Sequence, residues 1–297
     1  MTLVPQMPQK VQYLLKFSFP EIQTLCQKTN VEQFIGGRPG YDKETLFVWL
    51  LVKKVTNWSY RDIASLAGVS HPTLIRANTL FLKRKIYDKI LTSLVKKAYR
   101  TGLIKGKYVA MDSSFIHTFS SKGEVGSEGW NDHKKGYGFK LHLLIDCETQ
   151  FPLALIVTNG LASDNTLAIP LMKKARAWMR KVRYVLADKG YDDGEIVDWV
   201  GKALTAKAGI PIRRIGKRGK NYTWEGAWRN FQLKARGRTL KKSIYNKRTA
   251  VERVFGILKR TYHLGREETR GILNFAKNVY LSLICYMLKL FDISIST

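Results

Sequence analysis

The 297-residue chain predicts an α/β protein, a mixed sheet flanked by helices, preceded by an all-α segment. Three observations predict it. Residues 1 to about 102 carry helix-start and helix-stop signals without a strand pattern. After Gly102, short β-rich runs alternate with amphipathic stretches. Near the C-terminus, Tyr245 to Lys259 gathers Val251, Val254, Phe255 and Leu258 on one side, as a helix packed on a core requires. The expected division is a helical domain over 1–102 and an α/β domain over 103–297.

Charge narrows the function before any motif does. The chain carries a formal net charge of +28 and a pI near 10.0. A compact body repels itself at that charge unless a polyanion is its partner, and nucleic acid is the expected one. An anionic membrane surface would need a basic amphipathic helix or an anchor, and the sequence offers neither. Cys26, Cys147 and Cys285 stand far apart and form no pair, which predicts reduced, buried thiols in a cytoplasmic protein. The five histidines show no zinc spacing. No signal peptide is expected at the N-terminus. The apolar run Val279 to Phe291 is too short to span a bilayer, is interrupted by Lys289, and predicts a core-packing helix.

In the N-terminal third, Phe34 to Tyr41 reads as a loop through its Gly-Gly and Pro-Gly pairs, and Asp42 caps the helix that follows. Ser59 to Asn78 predicts a helix-turn-helix. Ser59 caps a first short helix, Gly68 allows the turn, Val69 packs inward, Ser70 caps the second helix, and Pro72 sits in its first turn. His71, Thr73, Arg76 and Asn78 are the polar residues such a recognition helix would turn to DNA. Tyr87 to Gly102 predicts another basic helix, with Lys96, Lys97 and Arg100 suited to a phosphate path.

Beyond Gly102, Lys107 to Met111 predicts a buried strand delivering Asp112 at its end. Residues 119–136 read as a loop; Gly138 to Asp146 and Phe151 to Thr158 read as the next strands of an antiparallel meander. Asp164 opens a helix. Arg183 to Ala187 is a strand ending at Asp188, Gly194 to Leu204 a helix, and Ile210 to Ile215 a last short strand. Asp146 and Asp164 read as turn and cap residues, and Asp192 and Asp193 as a helix cap and its neighbour. The basic segment 213–248 interleaves Tyr222, Trp224, Trp228 and Phe231 with Lys and Arg, and Glu225 is its only acid. Basic charge with stacking surface suits a nucleic-acid strand, for which Trp224 and Trp228 are the candidates.

On a helix, Tyr245, Arg248, Glu252 and Lys259 fall within roughly 60° of one another. This Y-x2-R-x3-E-x6-K pattern, continued by Phe255 to Arg260 and by Arg266 and Arg270-Gly271, resembles the C-terminal signature of DDE transposases of the IS4/IS5 insertion-sequence group. The resemblance covers about residues 107 to 290. It implies an RNase H-like catalytic core in which Asp112, Asp188 and Glu252 converge as metal ligands. Converging carboxylates repel one another, and a pair of Mg²⁺ or Mn²⁺ ions is what makes the arrangement favourable. Tyr245, Arg248 and Lys259 would then contact DNA phosphates near the cut, with Lys189 a weaker candidate. The implied activity is metal-dependent cleavage at transposon inverted-repeat ends and strand transfer into target DNA. The implied assembly is a homodimer on double-stranded DNA, in the cytoplasm, with no membrane or small-molecule substrate. The competing expectations are a domesticated DNA-binding protein that no longer cuts, an RNase H-like nuclease that cuts without joining, and a basic structural protein of ribosomes or chromatin.

Overall fold

The computed structural model describes residues 41–119, 126–211 and 241–295, with side chains to 291. Two compact units emerge. Among the described residues, one comprises 41–97 together with 257–295, and the other lies between Ala98 and Gly256.

Apart from a two-residue strand at Arg266–Glu267, the described part of the first unit is helical. α1 (Lys43–Thr56) starts at Asp42, whose carboxylate accepts from the Glu44 and Thr45 N–H groups, as its sequence position requires. α2 (Tyr60–Ala67) begins with a reciprocal capping box between Ser59 and Asp62 and ends at Gly68 with φ +64°, a conformation that costs little only for glycine. α3 (His71–Lys83) follows with proline in its first turn. Ser70 makes no capping bond to the backbone; its Oγ pairs instead with Thr73 Oγ1 at 2.8 Å. α4 (Ile86–Arg100) completes the run and leads into the second unit. The expected C-terminal core helix is present (Ile272–Ile295), and it buries Val279 to Leu288 without a break. Phe47, Phe81 and Tyr87 pack edge-on or tilted at 5.7–6.1 Å, and Tyr280 stacks on Tyr87 at 5.7 Å. Among the described residues no helix is long and apolar enough to cross a membrane.

The second unit is a mixed sheet. β1 (Tyr108–Thr118) and β3 (Gly136–Asp146) pair antiparallel from Val109↔Asp146 to His117↔Gly138. β4 (Pro152–Asn159) and the short β2 (Gly129–Asn131) share the far edge of β3. On the other edge of β1, β5 (Tyr184–Leu186) pairs parallel, and β6 (Lys207–Gly209) pairs parallel to β5. α5 (Asp164–Ala175) and α6 (Gly194–Leu204) supply the crossovers that parallel strands need. Later come the single turn α7 (Lys242–Tyr245), a 3₁₀ turn over Asn246–Arg248, and α8 (Thr249–Thr261).

Several expectations need correction. β2 forms inside the stretch expected to be loop, because Trp130 and Tyr137 face each other across a hairpin. A short strand forms at Lys207–Gly209, where β5 offers its free edge, while most of the strand expected over Ile210 to Ile215 lies outside the described residues. β1 does not stop at Asp112: its pairing with β3 carries the strand six residues further. Tyr245 to Lys259 is not one helix, since a 3₁₀ turn tightens the backbone at Asn246–Arg248. Asn78 does not face outward. It is 1 % exposed, donates to the Tyr60 hydroxyl at 2.7 Å and accepts from the Tyr87 hydroxyl at 2.6 Å. The loop Phe34–Tyr41 up to residue 40, Cys26, and Tyr222, Trp224, Trp228 and Phe231 lie outside the described residues.

Candidate active site

The site is assembled by strand register. The last parallel pair between β1 and β5 is Ala110↔Leu186. Continued by two residues, that register would bring Asp188 level with Asp112, and the two are near enough for the charge of Asp188 to raise the Asp112 carboxyl. β1 runs on past this point while β5 ends, so the sheet opens where the two carboxylates stand. Asp188 then caps a 3₁₀ turn over Lys189–Tyr191 by accepting from the Gly190 N–H at 2.8 Å. A Cβ at Gly190 would crowd that carboxylate at 3.0 Å, which is why glycine follows Asp-Lys here.

The third carboxylate comes from α8. Ala250, Val251, Val254 and Phe255 are buried and anchor the helix, leaving Glu252 on its exposed side. The preceding 3₁₀ turn is seated on β1: the Lys247 ammonium lies 4.9 Å from the Tyr108 ring centroid. Its last residue, Arg248, reaches both ways. Nη1 donates to Asp112 Oδ2 at 3.2 Å and Nη2 to Glu252 Oε1 at 2.6 Å. The Tyr245 ring centroid lies 5.8 Å from the Arg248 guanidinium carbon. Arg248 Nε is buried and has no hydrogen-bond partner, so the fork is not fully used.

Electrostatically the site is short of positive charge. Burial pushes the Asp112 carboxyl up to about 7, and the nearby charges of Asp188 and Glu252 add to it. The Ser113 N–H, at 2.8 Å, and Arg248 pull the other way without overcoming it. Arg248 itself loses basicity to burial, but its bond to Glu252 more than offsets this and holds it above its ordinary value. The side chains of Asp112 and Arg248 are 19 % and 16 % exposed and that of Glu252 is 50 %, so the site opens to solvent on the α8 side.

Three carboxylates offering only oxygen suit a hard divalent cation such as Mg²⁺ or Mn²⁺, and their uncompensated charge is what such a cation would neutralise. Among the described residues, however, no group of three or more His, Cys, Asp or Glu side chains is close enough to hold a metal ion. The donor chemistry fits; the spacing is that of two carboxylates held apart by a guanidinium.

The other sequence candidates are scattered. Lys259 lies on α8 two turns beyond Glu252, and Lys189 is exposed. On α3, His71 and Arg76 are exposed and Thr73 is half-buried. Asp146 holds the turn role expected of it and Asp193 caps α6, accepting from the Glu195 N–H at 2.9 Å, whereas Asp164 is the first residue of α5 and Ser163 takes the cap position. Sequence reasoning missed Tyr191. Its ring is buried, and burial, then the charges of Asp164, Asp112 and Asp188, raise its pKa well above the ordinary value against the opposing pull of the Ser113 side chain. The signal was its place three residues after Asp188. Also missed was a polar cluster in which Lys140 bonds Asp164 at 3.2 Å and buried His142 bonds Thr158 at 2.9 Å.

Comparison with known proteins bears on this arrangement. The family described as "Transposase DDE domain" matches residues 105–288. No curated protein matches the chain. Among solved structures, a chain of the piggyBac transposase synaptic complex with hairpin DNA is similar in fold: 12 % identity, TM-score 0.51, covering 97 % of this chain and 74 % of that one. The Mos1 mariner paired-end complex with Mn aligns at 12 % identity over 94 % of this chain and 96 % of that one, with a TM-score of 0.25, too low to bear on the fold. The family match spans well over half of the sequence and contains both strand aspartates and Glu252, and the chain belongs to the DDE transposase domain family.

Proposed function

We propose that the chain is an insertion-sequence transposase of the IS4/IS5 type, which cuts DNA at transposon inverted-repeat ends and joins the exposed 3′-hydroxyl to target DNA. The observation that supports the reading is Arg248 bridging Asp112 and Glu252, with Asp188 near enough for its charge to raise the Asp112 carboxyl. In this reading the three carboxylates hold two Mg²⁺ or Mn²⁺ ions. Such ions, when bound, stabilise the attacking and leaving oxygens of an in-line phosphoryl displacement. Asp112 and Asp188 offer their oxygens from adjacent positions in the sheet, and Glu252 closes the site from α8. Arg248 shares its fork between Asp112 and Glu252 in the DNA-free chain; on DNA its guanidinium takes a phosphate bidentately. Tyr245 and Lys259 contact phosphates beside it. His71, Thr73 and Arg76 read double-stranded DNA from α3, and Trp224 and Trp228 stack on bases. Both ends must be held together, which calls for a homodimer on DNA, acting in the cytoplasm.

A second reading, a DNA-binding protein that does not cut, has one observation in its favour: Arg248 lies between Asp112 and Glu252, where a cation is needed. One experiment separates the two. Labelled DNA carrying the flanking ends of the element is incubated with wild type and with Glu252→Gln in Mg²⁺ or Mn²⁺. The transposase reading expects cleaved and joined product from the wild type alone. Binding without cleavage by either protein sinks it, and cleavage without joining of pre-cut ends leaves the nuclease.

A further inference from the structure

The β2–β3 hairpin carries features that the site above does not use. Its turn, Asp132 to Lys135, is exposed throughout and holds Asp132, His133, Lys134 and Lys135. The turn is braced. Asn131 accepts from the Lys134 N–H at 2.9 Å and donates to the Gly160 carbonyl at 3.1 Å. Lys135 adopts φ +48°, an uncommon conformation for a residue with a side chain, so a lysine is presented where glycine would be easier. Beside the turn, Trp130 is 39 % exposed. It is not loose. Its ring packs edge-on against Tyr137 at 5.1 Å, and its indole N–H donates to Asp132 at 3.0 Å. That bond also ties up the one acid of the turn.

Register places this pair relative to the carboxylates. Asp112 lies opposite Leu143 on β3, and Tyr137, six residues earlier on β3, points to the same face. Trp130 lies opposite Tyr137. The aromatic pair and Asp112 therefore share one face of the sheet, about 20 Å apart along the strands, with buried Phe139 and Leu141 between them.

We propose that this hairpin is a DNA-strand contact, with Trp130 stacking on an unpaired base and Lys134 and Lys135 binding the flanking phosphates. A rigid aromatic beside paired cations is the chemistry that recognises single-stranded nucleic acid. The inference rests on the DNA reading above and adds to it where, beyond the cut, a strand is held.

The test uses the full chain and a labelled single-stranded oligonucleotide and its duplex, with binding read by fluorescence anisotropy across a salt series. Trp130→Leu keeps an apolar group on Tyr137 but removes the stacking surface. It is expected to weaken single-strand binding about tenfold with an unchanged salt slope, while Trp130→Phe stays within a few-fold of wild type. Lys134→Gln with Lys135→Gln is expected to lower the salt slope by about 1.4. An oligonucleotide containing 5-iodouracil should photo-crosslink to the peptide holding Trp130. Wild-type binding by Trp130→Leu, or an effect confined to the lysine pair, overturns the proposal. So does an equal loss in the Leu and Phe variants accompanied by a fall in melting temperature. The Glu252→Gln cleavage assay runs alongside. Cleavage that depends on Glu252 but not on Trp130 overturns this inference alone, whereas Trp130-dependent binding without cleavage leaves it standing and overturns the transposase reading.

Discussion

Asp112 and Asp146 sit on adjacent strands of the same sheet, both withdrawn from water, in opposite circumstances. Asp146 is 0 % exposed and fully provided for by the fold: it accepts from the N–H groups of Gly106 at 2.6 Å, Glu148 at 2.8 Å and Thr149 at 3.3 Å. Asp112 has one backbone donor, half of a shared guanidinium and two like-charged neighbours, and its carboxyl rises to about 7. A buried carboxylate supplied by backbone donors closes a turn. One left short of positive charge, at a point where a sheet opens, waits for something from outside. The His142–Asp164–Lys140 cluster resembles Asp146 in this respect, since Lys140 already supplies the cation.

Substitutions sharpen or break that contrast. Asp112→Asn should abolish cleavage and joining, by about 10³-fold or more (about 4 kcal/mol of barrier), while leaving the metal-free melting temperature unchanged or higher. Asp146→Ala should do the reverse. It strands three backbone donors and is expected to cost about 3–5 kcal/mol of stability in denaturant titrations. If Asp112→Asn unfolds the chain as readily, the contrast is lost.

His142 offers a test within the saturated class. Burial pushes its pKa down to about 4 from 6.5, so its neutral form is favoured by folding. The resulting stability is present above pH 6.5 and is lost as pH falls toward 4, up to about 3 kcal/mol. Unfolding followed by circular dichroism should show that slope in the wild type and a flatter curve in His142→Gln; matching curves would remove His142 from the account. The smallest effect is expected from Arg248→Lys, which keeps the charge but cannot span Asp112 and Glu252. DNA cleavage should fall about tenfold, with little change in melting temperature.

Much of the fold was legible because its signals are local. The Asp42 cap, the Ser59 cap, the Gly68 turn and the helix Gly194–Leu204 each follow from neighbours in sequence. What could not be read depends on distant partners. Asn78 is drawn inward by Tyr60 and Tyr87, on two other helices. β1 extends past Asp112 because β3 is there to pair with it. The site divides in the same way. Arg248 and Glu252 stand four residues apart, and their contact was implicit in helical spacing. The bond from Arg248 to Asp112 spans 136 residues and no local pattern announces it. Tyr191 follows Asp188 by three residues, yet the burial of its ring near the aspartates depends on the fold around it.

The central claim is that the charge deficit at Asp112, Asp188 and Glu252 is built for a divalent cation. Mn²⁺ titration followed by electron paramagnetic resonance, on the full chain with end DNA bound, tests it without requiring turnover. The account predicts saturable binding by the wild type, weakened at least tenfold in Asp112→Asn and in Glu252→Gln and unchanged in Asp146→Asn. Equal Mn²⁺ binding by the wild type and Asp112→Asn would contradict it.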